Sequence, residues 1–181
     1  MTETRADVRR IDGAAFEPLV MTAAHIYGEA MRRPPELVVQ RREIMQSHLH
    51  RRGFRAVAAI SGEELVGFGY GYRGRAGEWW HDIVAKALGR DLGRDVAREW
   101  LDDAFELAEL HLLPTHHGAG IGRAMLTTLL DDLGTRTVVL STHDKESPAR
   151  SLYRSEGFED LLCGFVFPGS AEVYAVMGRR Q

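Results

Sequence analysis

Apolar positions change their spacing several times along the 181 residues, and each change marks an element. Val8 and Ile11 suit a short opening strand, after which Asp12-Gly13 reads as a turn and helix entry. Phe16, Leu19, Val20, Ala23, Ile26, Tyr27 and Ala30 then recur at steps of three and four, the mark of one apolar helical face. Pro34-Pro35 ends that helix, because the residue before a proline is pushed out of helical geometry. A second helix is expected from about Glu36 to about His50, with Leu37, Val38, Ile44, Met45 and Leu49 on its buried side. Arg41, Arg42, His48, His50, Arg51 and Arg52 are assigned to its solvated side.

From Phe54 to Ile60 and from Leu65 to Tyr72 the period becomes two, and Ser61-Gly62-Glu63-Glu64 between them has hairpin chemistry. Phe68, Tyr70 and Tyr72 share one face of the second strand. Gly67, Gly69 and Gly71 leave the other face bare, either for a ligand or, the plainer reading, for close packing beneath a helix. Trp79, Trp80, Ile83, Val84, Ala87 and Leu88 return to helical spacing within an inserted segment, Gly77 to Asp103. That segment is read as a lid over a substrate pocket or as a surface helix anchored by its tryptophans.

The rest alternates strand and helix: strand Ala104 to Leu112, helix Gly120 to Leu133, strand Thr137 to Thr142, helix Pro148 to Glu156, and strands Leu161 to Phe167 and Val173 to Met177. Two helical crossovers imply a partly parallel sheet. With no repeat and no low-complexity tract, residues 1–181 are expected to form a single α/β (α+β) domain.

Composition narrows the function classes. A net charge of -3, from 23 basic and 26 acidic residues, argues against a general nucleic-acid surface. The arginine-bearing stretch Met1 to Asp12 has no apolar run behind it, and no window is long enough to cross a bilayer. One cysteine, Cys163, cannot pair internally and is expected to pack as a small strand residue, so a reducing, cytoplasmic setting is expected. His111, His116 and His117 lack the cysteines or clustered carboxylates that would complete a ligand set, so no metal is expected.

His117-Gly118-Ala119-Gly120-Ile121-Gly122 follows an apolar strand and opens the run Met125, Leu126, Leu129, Leu130, Leu133. A diphosphate can settle at such a point, where unpartnered amides and the positive end of the helix dipole meet and glycine leaves room. Arg123, a cation where the dipole disfavours one, fits an anion nearby. A Walker turn is excluded because Gly122 is followed by Arg123-Ala124. The dinucleotide fingerprint fails because Met125 stands at its third small position.

The turn resembles instead the Gln/Arg-x-x-Gly-x-Gly/Ala pattern of the Gcn5-related N-acetyltransferases (GNAT). The segment from Glu106 to Pro114 looks like that family's fourth strand. Ser147 to Phe158, with Ala149, Leu152, Tyr153, Gly157 and Phe158, looks like its second signature, Ala-x-x-Leu-Tyr-x-x-x-Gly-Phe. Two positions depart: His117 stands where the family has Gln or Arg, and Glu146 where an Asn often precedes the second signature.

The resemblance implies a mixed, twisted, mostly antiparallel sheet flanked by helices. It also implies acetyl transfer from acetyl-CoA, as co-substrate, to a primary amine of a small molecule or peptide by direct attack in a ternary complex. The coenzyme would be held by Leu112, Leu113, His117, Gly118, Ala119, Gly120, Ile121, Gly122 and Arg123, with a strand amide donating to the thioester oxygen. Tyr153 matches the family's general acid and Glu106 the position of a base. Strict alternation would face Glu106 and Glu109 oppositely, with Ala108 on the Glu106 side; a bulge would reverse this. A non-catalytic acyl-CoA-binding sensor or interaction module is the rival, a homodimer is left open, and neither acceptor nor acyl length is legible.

Overall fold

The computed structural model describes residues 6–181; residues 1–5 of the arginine-bearing N-terminal stretch lie outside the described residues. The strands are β1 (Asp7–Ile11), β2 (Arg55–Ser61), β3 (Glu64–Arg73), β4 (Ala104–Leu112), β5 (Thr137–His143), β6 (Glu159–Phe165) and β7 (Tyr174–Arg180). The helices are α1 (Gly13–Phe16), α2 (Val20–Met31), α3 (Pro35–His48), α4 (Trp79–Asp91), α5 (Arg94–Leu101), α6 (Ile121–Leu130) and α7 (Pro148–Ser155). Strand order is β1-β2-β3-β4-β5-β7-β6. β4 and β5 run parallel, joined by the α6 crossover, while β1–β2, β2–β3, β5–β7 and β6–β7 are antiparallel. The mixed, mostly antiparallel sheet that the resemblance implies is therefore present.

The chain gathers into two compact units: the described part of Met1–Tyr72 with Ala108–Asp132, and Arg73–Leu107 with Leu133–Gln181, so that β4 contributes to both. In the first unit Asp12 caps α1 by accepting the Ala15 N–H at 2.9 Å. The expected continuous first helix is instead broken: Glu17–Leu19 is a 3-10 turn between α1 and α2. Pro18 has no N–H to donate, and its ring would clash with the preceding turn. Arg32, in the left-handed region at φ 51°, closes α2, and Pro35 opens α3 as its first helical residue.

The core of this unit lies between α2, α3 and the aromatic face of β3. It contains Phe16, Val20, Ile26, Met45, Phe68 and Tyr70, with the Phe16 and Tyr70 rings 5.6 Å apart. α3 buries Val38 and Met45 of the expected stripe, with Leu49 packed beside them, but not Leu37. Leu37 is 38% exposed, whereas Val38 packs against Gly28, where an added Cβ would come within 2.5 Å of Val38 Cγ2.

In the second unit the inserted segment forms two helices, and it is part of the core rather than a loose appendage. Val84, Ala87 and Leu88 of α4 pack with Ala97, Trp100 and Leu101 of α5, Val139 of β5 and Val176 of β7. Trp80 donates its Nε1–H to Ser141 Oγ at 3.1 Å. Trp79 does not anchor α4 inward; it is 58% exposed and stacks on Phe167. Among the described residues no helix is long and apolar enough to cross a membrane.

Candidate active site

The glycine-rich turn leaves β4 through a short 3-10 turn, Pro114–His116, and enters α6 at Gly120. Gly118 and Gly120 have φ of 84° and 76°, and nothing stands within 4 Å of where a Cβ would be. Both positions need glycine for their backbone and present open space to a ligand. No side chain caps α6, so its first-turn amides meet that space with the positive end of the helix dipole. His116, His117, Gly118, Ala119 and Gly120 are all at least partly exposed, as is Arg123 in the first turn of α6. A phosphate-bearing coenzyme suits this turn.

The strand side of the turn is fixed by β3. The Leu113 N–H donates to the Val66 carbonyl at 2.9 Å, so Leu113 spends its amide inside the sheet. The N–H of Leu112 lies on the opposite edge by strand alternation. The His117 ring folds back and donates from Nε2 to the Leu112 carbonyl at 3.0 Å, which ties the expected phosphate contact to the strand end. The bare face of β3 turns out to be filled. A Cβ on Gly67 would stand 2.8 Å from Leu112 Cδ1 and 2.9 Å from Met125 Sδ, and one on Gly69 would stand 2.6 Å from Leu110 Cδ1. The glycine stripe thus lets the strand before the turn and the helix after it close on β3, which is the packing reading rather than the ligand-facing one.

Side chains of β4 leave simple alternation at Ala108. Ala108 packs on the α2–α3 core, yet its neighbour Glu109 also reaches residues of that side, bonding Arg41 of α3 at 2.9 Å. His111 follows Glu109 to the same side, donating from Nε2 to Glu109 Oε2 at 2.5 Å, while Leu110 and Leu112 lie under the glycines. The alternation that separates Glu106 from Glu109 on paper is interrupted at that step. Arg41 also donates to the Tyr27 hydroxyl at 3.4 Å, and its guanidinium lies 4.6 Å from the centre of that ring. Burial alone would push the Glu109 carboxyl up, but the His111 hydrogen bond and the nearby positive groups outweigh it and hold Glu109 below its usual range.

None of these partners was assigned to the site from sequence, and two of them, Arg41 and His48, were placed on the solvated side of α3. Val38, Arg41, Met45 and His48 in fact form one stripe at steps of three and four, the signal that could have found them. His48 bonds the Tyr70 hydroxyl through Nδ1 at 3.0 Å. Burial, reinforced by Arg51, pushes its pKa down to about 4.

A histidine depressed on folding stabilises the fold fully above its ordinary pKa near 6.5 and loses that contribution as pH falls toward about 4. Discounted for the partly exposed ring, the loss is on the order of 2–3 kcal/mol. Urea unfolding at a series of pH values is expected to show stability falling across this window in the parent and a flatter course in His48→Gln.

In the second unit, Glu106 lies on β4 opposite Val139 and is 3% exposed. Gly74 makes room for it, since a Cβ there would stand 2.1 Å from Glu106 Oε1. Pairing of β4 with β5 ends at this residue. Tyr153 is 7% exposed on α7, its ring tilted on Phe158 with centroids 5.6 Å apart. Ser147 caps α7 by accepting the Arg150 N–H at 3.2 Å. Buried Arg150 bonds both Asp144 and Asp160, and Arg154 bonds Asp160 at 3.1 Å and Glu146 at 2.9 Å. The Gly164 N–H and Arg150 hold the Asp144 carboxyl below its usual range. Glu146, the residue in place of the family's Asn, therefore serves as an ion-pair partner of α7. Cys163 is exposed on β6, not packed away, with Sγ 3.7 Å from Arg150 Nη2. No group of three or more His, Cys, Asp or Glu among the described residues could hold a metal ion.

Residues 52–160 match the model of the acetyltransferase (GNAT) domain. The chain is 32% identical to the GCN5-like protein acetyltransferase Rv2170 of Mycobacterium tuberculosis, over 87% of this chain and 89% of that one. Its fold is similar to that of a GNAT-family acetyltransferase from Desulfovibrio desulfuricans, with TM-score 0.66 and 17% identity over 97% of this chain and 98% of that one. It is also similar to the PaiA N-acetyltransferase of Thermoplasma acidophilum, solved in complex with coenzyme A, with TM-score 0.61 and 15% identity over 97% and 99% of the two chains. With the domain match covering more than half of its length and the relative spanning nearly all of it, this chain belongs to the Gcn5-related N-acetyltransferase family of acyltransferases.

Proposed function

We propose that the protein moves the acetyl group of acetyl-CoA to a primary amine by direct attack within a ternary complex. The observation that carries this reading is the open glycine turn at the uncapped head of α6, where two left-handed glycines leave the amides approachable. Gly118, Ala119, Gly120, Ile121 and Gly122 would hold the diphosphate through their backbone, with Arg123 and His117 beside it. The arm of the coenzyme would run along Leu112 and Leu113. Since Leu113 already donates to Val66, the thioester oxygen would take its hydrogen bond from the other edge of the strand, at Leu112. Tyr153 would deliver a proton to the departing thiolate, and Glu106 is the carboxylate that the resemblance nominates to remove the amine's proton.

A peptide or protein amine is the acceptor class favoured by the 32% identical relative, whose name describes a protein acetyltransferase. The test is thiol release from acetyl-CoA with a lysine peptide, a peptide with a free N-terminal amine, a polyamine and an aminosugar. Amine-dependent release with the peptides is the expected result. Coenzyme binding without release for any amine would favour a non-catalytic acyl-CoA-binding module.

A further inference from the structure

The contacts around His111 describe more than a packed ring. Its Nε2 donates to Glu109, and Glu109 is held in turn by Arg41 at 2.9 Å. Two rings fix the imidazole plane: Tyr27, edge-on at 5.3 Å between centroids, and Phe68 at 5.6 Å. Donation from Nε2 makes Nδ1 the nitrogen that carries the ring's lone pair. Glu109 is a buried carboxylate with both oxygens engaged, so it orients the ring and offsets a charge on it rather than taking a proton itself. The same division of labour, a carboxylate behind and an imidazole in front, makes histidine a general base elsewhere. His111 keeps 13% of its side chain exposed and stands directly before Leu112 and Leu113, in the same compact unit as the glycine turn.

From this geometry we infer that His111, oriented by Glu109, accepts the proton that the acceptor's ammonium must lose before attack. The inference rests on the proposed acetyl transfer and replaces Glu106 in that one role. The proton passes from R–NH3+ to His111 Nδ1, leaving R–NH2 and an imidazolium whose Nε2–H remains bonded to Glu109. The amine lone pair then attacks the thioester carbon, the C–S bond breaks as the tetrahedral intermediate collapses, the nitrogen gives up its second proton, the departing thiolate takes one up to leave as the thiol, and the imidazolium returns its proton to solvent. Glu109 is a positioning residue here. The titratable and charged groups around the pair are Tyr27 from α2, Arg41 and His48 from α3, Tyr70 from β3 and Glu109 from β4.

Two measurements test it. The first is the pH profile of kcat/KM for thiol release with the best amine of the panel. His111→Gln is expected to lose about 10²- to 10⁴-fold near neutral pH and to recover as pH rises toward the pKa of the free amine. Glu109→Gln is expected to move the acidic limb of the profile to lower pH, since the imidazolium loses its counter-charge, a displacement that a packing role alone would not cause. Loss and high-pH recovery in Glu106→Gln, with His111→Gln lacking them, would return the base to Glu106 and overturn the inference.

The second measurement needs no acceptor. Nitrogen NMR of the labelled protein is expected to show the His111 ring protonated at Nε2 near neutral pH. A ring protonated at Nδ1 overturns the inference even if the parent proves inactive, and the Nε2 form together with an inactive parent places the failure in the acetyl-transfer reading. His111→Asn serves as the second variant if His111→Gln does not fold.

Discussion

Gly120→Glu is expected to abolish the rise in thermal midpoint that acetyl-CoA produces in the parent protein. At a hundredfold excess over Kd, a ligand bound only to the native state contributes about 2.7 kcal/mol, which for a chain of this size raises the midpoint by roughly 5–10 °C. The variant carries two penalties of different kinds. At φ 76° a non-glycine residue is strained by about 1–2 kcal/mol, a loss the fold survives, and open space around the position leaves the new side chain room. A carboxylate at the head of α6 is even favoured by the helix dipole, and for that reason it takes the place of the diphosphate and repels it. Gly62→Glu separates the two penalties. Gly62 has φ 63° in the β2–β3 hairpin and equally open surroundings, so that variant should lose comparable stability and keep the full ligand shift. If Gly120→Glu folds and retains the shift, the coenzyme does not bind at this turn.

Tyr153→Phe is expected to lower turnover by roughly ten- to ten-thousand-fold while leaving coenzyme affinity nearly unchanged, because it removes the hydroxyl proposed to donate the proton. The ring's contact with Phe158 is retained by phenylalanine, and the clamp that holds α7, Arg150 on Asp144 and Asp160, does not involve the substituted atoms. Single-turnover measurements, in which chemistry limits the rate, compare the two proteins directly. Equal rates there would remove Tyr153 from the proton-donor role. A thermal midpoint near that of the parent would show that a lower rate is not a folding effect.

Several features were legible because they are local. Asp12 caps α1 through a residue three places on, Gly62 closes the hairpin, Pro35 starts α3, and the run from His117 to Gly122 announces a helix head that must stay open. Each depends on backbone geometry or hydrogen bonds within a few residues. The break at Pro18 was equally local and readable, but the apolar spacing from Phe16 to Ala30 continues across it, so periodicity concealed the 3-10 turn.

What the sequence by itself determined, then, was the order of the strands and of the helices other than α5 and the α1–α2 break, the partly parallel sheet and the glycine turn, because periodicity, capping and φ preference act over one turn or one strand pair. What only the tertiary structure decided was the use of charged residues. Arg41 and His48 read as solvated on a polar helix, yet they face Glu109 and Tyr70, which lie 68 and 22 residues away in the chain. A buried charge is tolerated only where a distant partner meets it, and no linear pattern records which partner that is. The facing of Glu109 and His111 was likewise beyond alternation, since a single irregular step at Ala108 redirects every side chain that follows. The three glycines of β3 were visible as a stripe, but what fills Gly67 and Gly69, Leu110 and Leu112 of β4 and Met125 of α6, became known only once strand and helix had closed upon it.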